Sequence, residues 1–161
     1  MKPALLLVAL VLILPMVLIA TLLVTNPTAV SDAFMIPGTL RSTIRVHNLP
    51  LTVLVADTET SLVRGLSGTE SLPDNHGLLM VFPEDGYPAI WMKDMRYAID
   101  IVWLDRTGAV VDIAESVVPA SYPAVFTPRS LARFVLEVPA GFADIQSLKI
   151  GDALDLGKLA K

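Results

Sequence analysis

The sequence predicts a mainly β domain, an antiparallel sandwich or barrel, preceded by one N-terminal transmembrane helix. Two patterns indicate the β domain: from about Thr43 onward apolar residues alternate with polar ones in short runs, and turn signals separate those runs. One pattern indicates the membrane helix, since residues 4–24 carry no charged side chain. Helical periodicity is scarce after that run, so we expect only one or two short helices in the domain.

Residues 1–24 are predicted to form a membrane anchor. As a helix rising about 1.5 Å per residue, this run covers the roughly 30 Å hydrocarbon layer. Lys2 precedes it and Asp32 is the first acidic residue after it, which predicts a cytoplasmic N-terminus and a single-pass protein of the cell membrane. The alternative is a signal peptide cleaved near Ala29, although its apolar region would usually be about 7–15 residues long. Both alternatives predict an extracytoplasmic domain.

Residues 25–42 are predicted to be a linker, and residues 43–161 the folded domain. The linker contains Asn26-Pro27 and Pro37-Gly38 and shows no sustained periodicity. The remainder is long enough for one hydrophobic core and too short for two.

The composition excludes several kinds of function. A formal net charge of −4 argues against binding to nucleic acid. The chain has no cysteine, which removes disulfides, thiolate catalysis and cysteine-based zinc sites. His47 and His76 lack metal-ligand spacing, so we expect no metal and no other cofactor.

The predicted elements follow from local patterns. Alternation indicates the first two strands and the strand after residue 131, whereas an unbroken apolar run indicates a buried strand after residue 76. Asp57 and Thr58 suit a helix start, and Gly65 a helix end. In chain order we expect strands at Ile44–Val46 and Leu51–Val55, a helix at Glu59–Arg64, strands at Gly77–Phe82, Ala89–Lys93, Ile99–Leu104, Val110–Val117 and Ala132–Val138, a helical turn within Phe142–Leu148 and a closing strand at Asp152–Leu156.

Two connections have clear signals. Asp105 and Gly108 stand at the first and fourth positions of a turn between β-rich runs, which suits a type I turn followed by a left-handed residue. Three prolines between Val118 and Arg129 predict a surface loop there.

Six short blocks in this order resemble the family known as domain of unknown function 192. The resemblance covers roughly Thr43 to Leu156 and implies a small β-sandwich of jelly-roll type with short helices. Many members carry an N-terminal signal or anchor, and the family has no established activity. The family's usual Trp-Met-Lys-Asn-Thr block has Asp94 and Met95 at its last two positions here. The blocks are RGLSG (64–68), GLLMVFP (77–83), WMKDM (91–95), IDIVWLD (99–105), FVLEVPAG (134–141) and IGD (150–152).

The candidate site residues are Arg64, Trp91, Lys93, Asp94, Asp100 and Glu137. Lys93 alternates with Met92, so we expect it beside Trp91, either binding an anion or simply solvated. Trp91 and Trp103 are expected to have core or cross-strand roles rather than to stack on a sugar.

The two acidic candidates have structural alternatives. Asp100 shares a strand face with apolar residues, so we expect it to be buried and paired with Arg64 or Arg96 rather than catalytic. Glu137 and Arg133 lie on one face of a strand, four residues apart in the chain, which most simply indicates a surface pair.

These observations predict a membrane-anchored binding or accessory module for a small polar ligand, a glycan or an envelope protein rather than an enzyme. The alternative is a hydrolase with Asp100 or Glu137 as acid–base and Lys93 or Arg64 stabilising developing charge. A passive structural domain is the third possibility.

Overall fold

The computed structural model describes residues 34–160, and those from Met35 onward form one compact unit. The predicted membrane anchor or signal peptide and the first part of the predicted linker lie outside these residues. No helix within residues 34–160 has the length and apolar character needed to cross a membrane. Ile36 is buried and the first strand begins at Leu40, ahead of the predicted domain start at Thr43.

The domain is mainly β, with short helices, as the sequence predicts. The strands are β1 (Leu40–Val46), β2 (Leu49–Ala56), β3 (His76–Gly86), β4 (Ile90–Trp91), β5 (Ile99–Leu104), β6 (Val110–Val117), β7 (Val125–Phe126) and β8 (Ala132–Pro139). The helices are α1 (Glu59–Arg64) and α2 (Phe142–Ile145), and single 3₁₀ turns cover Pro119–Ser121 and Gly157–Ala160.

Six strands form one mixed sheet in the order β1-β2-β3-β8-β5-β6, while β4 and β7 pair as a separate ribbon. All neighbours in the large sheet run antiparallel except β2 and β3, which run parallel. The strictly antiparallel prediction is therefore wrong at this pair. Parallel neighbours need a crossover of about a dozen residues or more, and residues 57–75, including α1, supply it. The finer prediction of a jelly-roll sandwich is not confirmed by this strand order.

Helix α1 has the predicted bounds because both its ends are capped. The Thr58 hydroxyl accepts a hydrogen bond from the Ser61 backbone N–H at 3.2 Å, and the Ser61 hydroxyl accepts one from the Thr58 N–H at 3.0 Å. This reciprocal pair is a capping box. Gly65 ends the helix at a φ of +52°, a conformation that favours glycine.

The turn between β5 and β6 also has the predicted form. Asp105 accepts hydrogen bonds from the backbone N–H groups of Thr107 and Ala109, and Gly108 has a φ of +84°. Partial burial raises the pKa of Asp105, but hydrogen bonds from these neighbours outweigh it and the pKa is lowered.

The C-terminal segment links the two edges of the large sheet. Arg45 of β1 and Asp155 exchange backbone hydrogen bonds of 2.8 and 3.0 Å, while Val110 of β6 donates to the Asp152 carbonyl at 2.8 Å. The predicted closing strand is thus present as two short bridges. It covers backbone groups that open edge strands would expose.

Both faces of the large sheet are buried. The larger core lies on the face of Leu136 and Val138, together with Leu79, Val102 and residues of β1, β2 and α2. Glu137 lies on the opposite face, because side chains alternate along a strand. Its directly opposed neighbours there are Leu78 of β3 and Ile101 of β5.

Candidate functional site

A cavity of about 310 Å³ lies between the second face of the large sheet and the layer that covers it. Strands β3 and β8 contribute its floor. The end of α1, the segment after it, and the β4–β7 ribbon contribute its walls. The lining is mostly apolar and consists of Leu62, Val63, Arg64, Gly65, Leu66, Ser67, Met80, Phe82, Ala89, Ile90, Trp91, Met95, Val125 and Glu137.

Glu137 supplies a carboxyl group to this apolar cavity. Its side chain belongs to the central strand β8, and the residue is only 4% exposed. Among the described residues, its buried Oε2 has no hydrogen-bond partner. Burial raises the pKa of Glu137 to about 8, so the carboxyl is mostly neutral at pH 7. The predicted surface pair with Arg133 is wrong, since Glu137 is buried beneath the layer that covers this face of the sheet.

Polar side chains close to Glu137 are engaged elsewhere. The Ser67 hydroxyl donates to the Lys93 carbonyl at 2.7 Å, and the hydroxyls of Thr69 and Tyr97 are hydrogen-bonded to each other at 2.6 Å. Burial raises the pKa of Tyr97, and the nearby Glu137 carboxyl contributes in the same direction. These bonds fix the wall of the cavity without satisfying the carboxyl.

The mouth of the cavity carries an exposed aromatic ring and two cations. The Trp91 side chain is 43% exposed and makes an edge-on contact with Tyr122, with ring centroids 6.5 Å apart. The Lys93 ammonium lies 5.8 Å from the centroid of the Trp91 ring, as its predicted position beside Trp91 requires. Arg64 lines the cavity and is exposed. Within residues 34–160 its guanidinium makes no ion pair.

The two tryptophans have different environments. Trp103 is 1% exposed and its indole N–H donates to the Pro88 carbonyl at 3.0 Å, which confirms the predicted core role. Of the two roles predicted for Trp91, the structure gives it the cross-strand one, because its strand belongs to the two-stranded ribbon rather than to the large sheet. Its cross-strand neighbour is Val125 of β7.

Asp94 lies in the turn after Lys93 and does not line the cavity. Its backbone has a φ of +55°, and its carbonyl accepts a hydrogen bond from the Gly68 N–H at 2.9 Å. Asparagine and aspartate adopt this left-handed conformation more readily than other residues with a Cβ. This conformation explains why aspartate fits a position where the family that the sequence resembles usually has asparagine.

Asp100 is fully buried, as predicted, but its partners are not arginines. Its Oδ1 accepts hydrogen bonds from the N–H groups of Ser116 and Gly141 at 2.7 and 3.1 Å, and its Oδ2 from Ala143 at 2.9 Å. Arg96 instead pairs with Glu70 at the surface. The arginine prediction is wrong because the turn into α2 brings backbone donors to Asp100.

The structure therefore brings together part of the predicted set. Arg64, Trp91 and Glu137 line one cavity, Lys93 stacks on Trp91, and Asp94 lies beside them in sequence. Asp100 lies on the opposite face of the sheet, opposite Val138 in register, and is separate from the cavity. No group of three or more histidine, aspartate or glutamate side chains within residues 34–160 is placed to hold a metal ion.

Sequence reasoning did not identify the apolar lining. Met80, Phe82, Met95 and Val125 have no feature that distinguishes a cavity wall from a core. One signal was available, the single glutamate within the apolar run FVLEVP. An acidic residue at that point of a central strand indicates either strain or a site.

Fold and cavity define a mainly β domain with one carboxyl group in an apolar pocket. The model of the family DUF192, described as "Uncharacterized ACR", matches residues 42–156, and the chain belongs to this family. Two similar proteins are the UPF0127 proteins of Thermococcus sibiricus, 30% identical over 105 residues, and of Thermococcus gammatolerans, 33% identical over 104 residues. These matches cover 64% and 63% of this chain, and in each case 64% of the relative.

Two solved structures share the fold. One is a protein of Sinorhizobium meliloti described as a candidate transcription regulator, with a TM-score of 0.67 and 25% identity, covering 76% of this chain and 97% of that one. The other is a protein of unknown function from Novosphingobium aromaticivorans, with a TM-score of 0.66 and 20% identity, covering 76% and 91%. The second likeness concerns the fold alone.

Proposed function

We propose that this domain is a binding module that takes a small ligand with an apolar face into the cavity. The observation that carries the proposal is the Glu137 carboxyl, which is buried among apolar side chains with an unsatisfied oxygen. Such a group costs stability. Nothing in the described fold uses it, so a ligand is the natural source of its missing hydrogen bond.

The mouth of the cavity supports the same function. Trp91 offers an exposed aromatic surface, and Arg64 and Lys93 place positive charge near it. Apolar walls with a few placed polar groups are typical of small-molecule sites. A small ligand is therefore favoured over a glycan chain or an envelope protein, for which the structure offers no comparably specific feature.

The setting of this module is proposed from the sequence. The uncharged run at residues 4–24 supports a membrane tether with an extracytoplasmic domain. The ribbon β4–β7 lies over the second face of the large sheet, and we take these as the two layers of a β-sandwich.

Nucleic-acid binding is not part of the proposal. The Sinorhizobium meliloti protein is described as a candidate transcription regulator, but this chain has a formal net charge of −4. Protein surfaces that bind DNA depend on clustered positive charge. Within residues 34–160, the positive charge at the cavity mouth comes from Arg64 and Lys93.

A hydrolase remains the second candidate function, with one observation in its favour. A pKa of about 8 suits Glu137 to donate a proton near neutral pH. Asp100 is withdrawn from this role, because three backbone N–H groups hold its oxygens on the other face of the sheet. Glu137 is then the only carboxyl among the lining residues, so the usual acid–base pair is missing.

The test is a thermal-shift screen of the full chain against metabolites and envelope glycans. A ligand of the native state raises the melting temperature by an amount that grows with [L]/Kd. Ala89 is exposed and lines the cavity, so Ala89→Trp should block the mouth. Ala153 is exposed and does not line it, so Ala153→Trp is the matched control.

We expect a ligand to stabilise the wild type and Ala153→Trp but not Ala89→Trp. A ligand that stabilises all three proteins equally binds elsewhere and refutes the cavity as the site. Turnover of that ligand, lost in Glu137→Gln, would favour the hydrolase.

A further inference from the structure

We infer that the cavity recognises a small organic cation, a primary amine on an apolar body, with Glu137 as its counter-ion. This inference rests on the proposed function and deepens it by naming the ligand class. It follows from what the cavity contains and from what its residues already bind.

The Glu137 carboxyl lacks a hydrogen-bond donor within the described residues. Glu137 Oε2 is buried without a partner. The Ser67 hydroxyl donates to Lys93, and the Tyr97 hydroxyl is bonded to Thr69, so neither is available. A donor for the carboxyl must come from outside the described residues.

The charge of the ligand group decides whether the Glu137 carboxyl can ionise. A neutral hydroxyl on a ligand supplies a hydrogen bond but leaves the carboxyl unable to ionise in its apolar surroundings. An ammonium group supplies three donors and a positive charge, and charge-assisted hydrogen bonds are roughly twice as strong as neutral ones. Amine binding therefore supplies both the hydrogen bond and the counter-charge that Glu137 lacks in the ligand-free cavity.

Trp91 lines the same cavity and adds an aromatic ring that attracts cations. Its ring already holds the Lys93 ammonium at 5.8 Å. Ring faces attract cations, and the attraction grows where water is excluded. The cavity thus presents two features that favour a cation, an unpaired carboxyl and an aromatic ring.

Other charged groups around the cavity orient the ligand. Arg64, at the end of α1, lies at the exposed mouth, where solvent and salt screen its charge. Tyr97, before β5, faces Glu137 and is neutral at pH 7. Arg133 lies on the same face of β8 as Glu137, four residues earlier in the chain. Lys93 lies outside, on Trp91. The ligand cation therefore belongs at the Glu137 end, and any anionic group of the ligand at the Arg64 end.

The test uses four probes of equal chain length, hexylamine, ε-aminocaproate, hexanol and hexanoate, on the full chain. Trp103→Phe leaves Trp91 as the single fluorescent indole, because the chain has two tryptophans. We expect both amines to bind at least about tenfold tighter than hexanol. Glu137→Gln should remove that preference while hexanol still binds.

A second readout is proton release. Amine binding at pH 7 should ionise Glu137 and release up to one proton. Calorimetry in two buffers of different ionisation enthalpy detects it, with a difference for the wild type and none for Glu137→Gln. This measurement on the wild type decides the inference even if the variant does not fold.

Each outcome has one meaning. Equal binding of hexylamine and hexanol overturns the amine inference and leaves the proposed cavity intact. Amine binding that persists in Glu137→Gln, or the absence of binding by either amine, also overturns it. The library screen with Ala89→Trp separately decides whether the cavity binds any ligand.

Discussion

Gly65 lies directly over the carboxyl group of Glu137. A Cβ atom at Gly65 would be 3.8 Å from Oε2 and 3.9 Å from Oε1 of Glu137, and these are its nearest contacts among described residues other than its chain neighbours. The residue that ends α1 therefore lies next to the carboxyl group that β8 places in the cavity. This relationship joins the helix end, set by local sequence, to the site, set by tertiary packing.

Gly65→Ala should lower both stability and ligand affinity. At φ +52° and ψ −135° a residue with a Cβ is strained, and such strain costs on the order of 1–3 kcal/mol. The added methyl also contacts the carboxyl from the side of the cavity. Chemical denaturation measures the first effect and Trp91 fluorescence titration measures the second.

Two other glycines separate these effects. Gly68→Ala, at φ +77° with open space around its Cβ position, should lose stability but keep ligand affinity. Gly86→Ala, which also meets nothing within 4 Å, should change neither. Equal loss of affinity in Gly65→Ala and Gly68→Ala would contradict the geometric role of Gly65.

The stability of the ligand-free domain should fall as pH rises from about 4.5 to about 8. The pKa of Glu137 is raised from 4.5 to about 8 by burial, so the folded state keeps a proton that the unfolded state loses in this interval. The contribution of Glu137 to the free energy of unfolding is full below pH 4.5 and is lost as the pH rises to about 8. The free energy of unfolding falls by at most about 1.4 kcal/mol per pH unit over this interval.

Glu137→Gln is the control for this pH dependence. Glutamine has nearly the same shape and does not titrate, so its slope over the interval should be shallower. The other ionisable groups are common to both proteins. Urea denaturation at several pH values gives the slopes, and identical slopes would show that Glu137 is not buried as described.

The fold could be predicted wherever a local signal decides the backbone. Thr58 and Gly65 specify both ends of α1, and Asp105 with Gly108 specifies the turn before β6, and these elements have the predicted bounds. The parallel pairing of β2 with β3 had no local signal. It depends on where the segment after α1 packs, which is a tertiary property.

The site could be predicted only in part for the same reason. Asp100 was correctly predicted to be buried, because its strand neighbours are apolar. Two of its three partners are backbone N–H groups near α2, more than forty residues away in sequence, and periodicity gives no information about such contacts. Glu137 was assigned to the surface because alternation along β8 does not reveal that both faces of the sheet are covered.

Asp94→Asn should leave stability nearly unchanged, whereas Asp94→Val should lower it by about 1–2 kcal/mol. The reason is the φ of +55° at this residue, which asparagine tolerates and a β-branched residue does not. Thermal denaturation of the two variants tests the prediction. Equal stability of both would mean that the turn after Lys93 does not hold this conformation in solution.

A fragment that begins at Met35 should fold cooperatively, and one that begins at Thr43 should be less stable. Ile36 is 3% exposed, its carbonyl accepts a hydrogen bond from the Thr39 hydroxyl, and β1 pairs with β2 from Leu40 onward. The shorter fragment loses this buried side chain and part of the strand pairing. Circular dichroism melts compare the two, and equal melting temperatures would show that residues 35–42 add nothing to the fold.

Asp100→Asn should destabilise the domain by about 1–3 kcal/mol. The substitution replaces one acceptor oxygen by an NH₂ group, which then faces a backbone N–H of Ser116, Gly141 or Ala143 whichever way the amide turns. A backbone N–H group at the turn into α2, at the start of α2 or at Ser116 then loses its buried hydrogen-bond acceptor.

Arginine variants are the control for Asp100. Because backbone N–H groups hold the Asp100 carboxylate and Arg96 pairs with Glu70 instead, Arg96→Ala should cost little, and its effect should add to that of Asp100→Asn in the double mutant. Urea denaturation of the two single mutants and the double mutant completes the cycle. A coupling energy above about 0.5 kcal/mol would indicate that Arg96 and Asp100 interact after all. If Asp100→Asn left the stability unchanged, its three backbone hydrogen bonds would not stabilise the fold.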